Sequence, residues 1–86
     1  MDINNLIAII KKKIQSNINF EDLKIEDKSF LHKGHAGNKA DKFHLKLTIK
    51  SDELKRLSRI ESSKKIYKIL DVELNKYIHS IQILIN

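Results

Sequence analysis

The chain has 86 residues, 17 basic against 11 acidic, with a formal net charge of +6, a pI near 9.6 and no cysteine. A chain this short builds one small core, burying about 60–65% of the surface its unfolded form exposes, and without thiols it forms neither disulfides nor a thiolate zinc finger. The positive charge, carried by lysines apart from Arg56 and Arg59, favours acidic protein surfaces or nucleic acid, although a solvated lysine-rich surface is the plainer reading.

Ile3, Leu6, Ile7, Ile10 and Ile14 recur at helical spacing, with Asp2 or Asn4 available as caps, and predict an amphipathic first helix. The run Leu6-Ile-Ala-Ile-Ile10 is far shorter than the roughly 20 apolar residues that span a bilayer, so no membrane association is expected. The start, Met-Asp-Ile-Asn-Asn, lacks the basic region of a signal peptide, and a cytoplasmic location is the expectation. Leu23 and Ile25 alternate with polar residues as in a short strand, and residues 28 to 42, which hold both glycines, read as a long loop.

From Phe43 to Lys50 the alternation predicts a strand with Phe43, Leu45, Leu47 and Ile49 on a buried face, and His44, Lys46, Thr48 and Lys50 on an exposed one. Ser51, followed by Asp52 and Glu53, opens a short helix, and Ser58-Arg-Ile-Glu61 has the capping-box pattern that starts another. That helix is predicted to be long, with Ile66, Tyr67, Leu70, Leu74, Tyr77 and Ile78 as its apolar stripe, and it leads into a strand where Ile81, Ile83 and Ile85 share a face. The order is α-β-β-α-α-β.

Two helices between the last two strands are long enough for a right-handed parallel crossover, which puts Phe43 and His79 at the same end of the sheet. Three histidines are thereby able to converge: His32 and His35 in Ser29-Phe-Leu-His32-Lys-Gly-His35-Ala-Gly37, and His79 in Ile78-His79-Ser-Ile-Gln-Ile83. The parity of His79 with Ile81 aims it at the helix-covered face, where shielding favours the neutral imidazole that ligation needs. His32 and His35 also form, by themselves, a candidate pair for zinc or copper. Because iron–sulfur clusters are held mainly by thiolates, a partner must supply those ligands to any cluster these imidazoles reach, which suits an adaptor. No serine, aspartate and histidine fall in a nucleophile turn, so no enzyme is expected.

At this point the chain resembles the BolA family. The resemblance runs from about Ile7 to Ile85, and rests on Ser29-x-x-His32-x-Gly34-His35-Ala-Gly37, Phe43-His44-Leu45, Ile66-Tyr67-x-x-Leu70-x-x-Glu73-Leu74 and Ile78-His79-Ser-Ile. It implies an α+β, class II KH-like single domain over residues 1–86, a three-stranded mixed sheet with helices packed on one face. It also implies partnership with a monothiol glutaredoxin in iron–sulfur cluster trafficking or iron regulation. A two-iron, two-sulfur cluster is then bridged between the proteins, with sulfur ligands from the glutaredoxin and glutathione, and His79 plus His32 or His35 from this chain. The isolated chain is expected to bind no cluster and to be monomeric.

The resemblance also implies an alternative, a DNA-binding transcriptional regulator of cell-shape, envelope or stress genes, in which Arg56, Arg59, Lys64 and Lys65 contact phosphates. The chain departs from the family there: an Arg-His-Arg at the start of the long helix is replaced by Ser62-Ser63-Lys64, and a Phe-x-Gly by Leu54-Lys-Arg56. Gly34-His-Ala-Gly37 matches the Gly-x-x-Gly of RNA-binding KH domains but falls between the first two strands. The helix junction where that clamp belongs reads Leu57-Ser58-Arg59.

Overall fold

The computed structural model describes residues 1–29 and 42–86. In chain order these form α1 (Ile3–Asn17), β1 (Asp22–Asp27), β2 (Phe43–Lys50), α2 (Asp52–Lys55), α3 (Arg59–Ile69), α4 (Asp71–Lys76) and β3 (Ile78–Ile85). The strands lie in the order β1-β2-β3, with β1 antiparallel to β2 and β3 parallel to it. The mixed sheet and the parallel crossover follow the expected topology.

Local chemistry accounts for the element ends. Asp2 sits at the N-cap of α1, but its side chain makes no capping bond. Ser51 caps α2 by accepting the Leu54 N–H at 3.2 Å, while its own hydroxyl donates to the Asn19 carbonyl at 2.7 Å and ties the α1–β1 connection to this corner. At α3 the capping box is complete: Ser58 Oγ accepts the Glu61 N–H at 3.1 Å and Glu61 Oε1 accepts the Ser58 N–H at 3.3 Å.

The long helix from Ser58 is broken at Leu70, where ψ of 18° leaves the helical region, and Asp71 and Glu73 then supply the acidic first turn of α4. Leu70 is fully buried, so the apolar periodicity runs through the break and hides it. Tyr67, expected on the apolar stripe, is exposed, and Ile78 belongs to β3.

The core lies between the helices and one face of the sheet. Leu6, Ile10 and Ile14 of α1, Leu54 of α2 and Ile66 of α3 pack with Leu70 against the row Ile25, Leu45, Leu47 and Ile49. Register aligns that row across all three strands, Ile25 beside Leu47 and Leu47 beside Ile83. Burying each of these side chains stabilises the fold by about 1.5–3 kcal/mol. A Lys13–Glu73 ion pair at 2.7 Å joins α1 to α4, its carboxylate buried.

Candidate functional site

The β2–β3 ladder contains an irregularity at its N-terminal end. Phe43 pairs with Ile78 and His44 with Ser80, so His79 is an extra residue on β3 with no partner of its own on β2. Such a bulge re-aims side chains. In a regular ladder His79 would share the core face with Ile81, which is the orientation its spacing predicts. The bulge gives the core position to Ile78, 3% exposed, and His79 is instead solvent-exposed. No group among the described residues hydrogen-bonds either of its ring nitrogens.

His44 shows the opposite discrepancy. Strand alternation puts it with Lys46 on the solvent face, yet it is only 6% exposed. Its ring Nδ1 hydrogen-bonds Ser80 Oγ at 2.7 Å, and its ring centroid lies 4.7 Å from that of His79, the planes inclined at 38°. Its backbone is held on the other side: the His44 N–H donates to Ser29 Oγ at 3.1 Å and its carbonyl accepts the Lys28 N–H at 2.7 Å. The Ser29 N–H in turn donates to Asp27 Oδ1 at 2.9 Å. Sequence reasoning missed His44 as a site residue. The available signal was its register opposite the residue after His79, concealed by the bulge.

The chain therefore leaves the described residues at Ser29, bonded to His44, and returns at Lys42, two positions before it. His32 and His35 lie outside the described residues. At the start of β2 the Phe43 N–H donates to the Tyr77 carbonyl at 2.8 Å, which fixes this corner to the end of α4.

An exposed imidazole seated on a second, buried imidazole offers a nitrogen donor to a ligand outside the chain. A single histidine with no thiolate nearby completes a coordination sphere but does not build one. Among the described residues no group of three or more histidine, aspartate or glutamate side chains is arranged to hold a metal ion. No described helix is long and apolar enough to cross a membrane.

The basic residues lie elsewhere. Arg56, Arg59 and Lys64 are exposed around α2 and the start of α3, while Lys65 is half-buried with its Nζ 2.8 Å from Glu53 Oε2. That contact, together with the Asn19 N–H, holds the Glu53 carboxyl below the usual glutamate range. Arg59 also borders an open cavity of about 450 Å³ against Ile83, Leu84 and Ile85, at the far end of β3 from His79. The structure thus places Arg59 at the other end of β3 from His79 and ties Lys65, one of the four proposed phosphate contacts, to a carboxylate.

Comparison with known proteins agrees with this architecture. The family model described as BolA-like protein matches residues 14–86. A curated relative, the "DNA-binding transcriptional regulator BolA" of Haemophilus influenzae, is 34% identical over 73 residues, which are 85% of this chain and 68% of that protein. "Protein BOLA1, chloroplastic" of Arabidopsis thaliana is 30% identical over 84 residues, 94% of this chain but about half (52%) of that longer protein. Among solved structures, the BolA domain of SufE1 from Arabidopsis thaliana superposes with a TM-score of 0.79 at 26% identity, covering 100% of this chain and 93% of that one. Element order, sheet topology and a family match over most of the sequence together make this chain a member of the BolA-like protein family.

Proposed function

We propose that this BolA-like protein is a non-enzymatic adaptor that pairs with a monothiol glutaredoxin and shares a two-iron, two-sulfur cluster with it. The observation that carries the reading is His79, an exposed imidazole turned out of the core by a bulge in a chain without cysteine. The cluster is cargo supplied from outside. The glutaredoxin and glutathione provide sulfur ligands, His79 provides a nitrogen, and His32 or His35 provides the second ligand from this side. Replacing thiolate by imidazole ligation raises a cluster's potential and changes its spectrum, which gives such an adaptor a way to alter the cluster's fate.

Visible circular dichroism tests this when the protein is titrated into cluster-loaded monothiol glutaredoxin. Bands that change and saturate at one copy per glutaredoxin support a shared cluster. Unchanged bands with an intact partner overturn it.

A second reading is favoured by the name of the Haemophilus influenzae relative, a DNA-binding transcriptional regulator. In that reading Arg56, Arg59 and Lys64 contact phosphates, positioning the protein without reading bases. A salt slope near zero in duplex titrations excludes it, because phosphate neutralisation releases counterions.

A further inference from the structure

Resting on the cluster-sharing reading, we infer that His44 is a positioning residue for His79: the buried imidazole is the platform that holds the exposed one in a single orientation for an external ligand. The bulge leaves His79 with no partner on β2 and no hydrogen bond to its ring among the described residues. An exposed side chain in that situation samples several rotamers. Among the described residues the contact that restricts it is the His44 ring, with centroids 4.7 Å apart and planes tilted by 38°, within the range in which aromatic pairs attract.

Described residues fix the platform itself. Ser80, the residue after His79, holds Nδ1 at 2.7 Å; Ser29 Oγ holds the backbone N–H at 3.1 Å; and the Lys28 N–H holds the backbone carbonyl at 2.7 Å. The Ser80 bond closes a small circuit, because the residue that orients the platform is covalently joined to the residue the platform orients. Ordering is then completed on folding, so less rotamer freedom is lost when His79 takes its place on a ligand. Groups that orient a metal ligand change its affinity without touching the metal.

Two measurements on the full chain test this. In imidazole proton–nitrogen correlation spectra of the cluster-free protein, His79 is expected to show ring-current-shifted protons and contacts to the His44 ring. In His44→Leu those protons move to positions typical of a free imidazole while the amide spectrum stays folded. Ser80→Ala, a change at an exposed position, moves them in the same direction and guards against loss of the fold in the first variant.

In the second measurement, affinity for cluster-loaded monothiol glutaredoxin falls about tenfold in His44→Leu, the low end of the effect of removing a group that orients a ligand. His44→Phe, which restores a ring, recovers most of it. His79 resonances that stay put in both His44→Leu and Ser80→Ala overturn the positioning role, even where the parent shares a cluster. A parent that leaves the cluster bands unchanged overturns the cluster-sharing reading, while the spectra of the free protein still decide whether His44 orders His79.

Discussion

His44 and His79 lie with ring centroids 4.7 Å apart beside the skipped residue of the parallel ladder, the first buried and the second exposed. Their substitutions should therefore differ in cost. His79→Ala removes an exposed ring and is expected to change stability by less than about 0.5 kcal/mol. His44→Ala removes a buried, hydrogen-bonded ring and is expected to cost about 1–3 kcal/mol. Urea denaturation of the two variants measures the difference, and equal costs would contradict the assignment of one ring to the interior.

Lys13 and Glu73 join the first helix to the last across 60 positions of sequence, with the Glu73 side chain 6% exposed. Removing the lysine strands a buried carboxylate, whereas Glu73→Gln keeps the shape and removes the charge. Lys13→Met is expected to destabilise by about 1–3 kcal/mol, less than a fully buried pair because the ammonium reaches water. Glu73→Gln in the Lys13→Met background should recover part of that loss, which a double-mutant cycle reads directly.

The Glu53 carboxyl is held below the usual glutamate range first by the hydrogen bond from Lys65, with further help from the Asn19 N–H and the nearby Arg56. A depressed folded-state value means the stabilisation is fully present above the unfolded-state value and is lost as pH falls through the folded one. The contact is only part-buried and open to solvent, so the effect on stability is small. A carbon-detected titration should place Glu53 below the ordinary glutamate value, and Lys65→Met should return it toward that value.

The same contact separates the four basic residues singled out in the sequence. Arg56, Arg59 and Lys64 are available to a polyanion, whereas Lys65 is engaged with Glu53. If duplex DNA binds, Arg56→Ala, Arg59→Ala and Lys64→Ala should each lower the salt slope by about 1, and Lys65→Ala by less. Salt-dependent fluorescence anisotropy gives the four slopes, and equal losses would mean that the Glu53 contact breaks on binding.

Periodicity made the elements legible because each apolar stripe has a partner surface: the α1 isoleucines, the Leu45-Leu47-Ile49 row and the Ser58 capping box all stand where the pattern puts them. The break at Leu70 was not legible, since Leu70 is buried in step with Ile66 and leaves no gap in the stripe. Nor was the bulge, because a skipped pairing is a property of two strands together, and neither strand alone carries a glycine or proline to mark it. One skipped residue took His79 off the core face that its spacing with Ile81 predicts. His79 was therefore legible in the sequence as a candidate, but its orientation and its support were not.

In the proposed complex His79 enters the coordination sphere of a cluster held by a partner. Visible circular dichroism and electron paramagnetic resonance of the reduced cluster, recorded for cluster-loaded monothiol glutaredoxin with the parent chain and with His79→Ala in parallel, test it most directly. New bands and shifted g-values are expected with the parent and are absent or incomplete with His79→Ala, although the variant stays folded. Identical spectra from the two chains, both saturating at one copy per glutaredoxin, would contradict it.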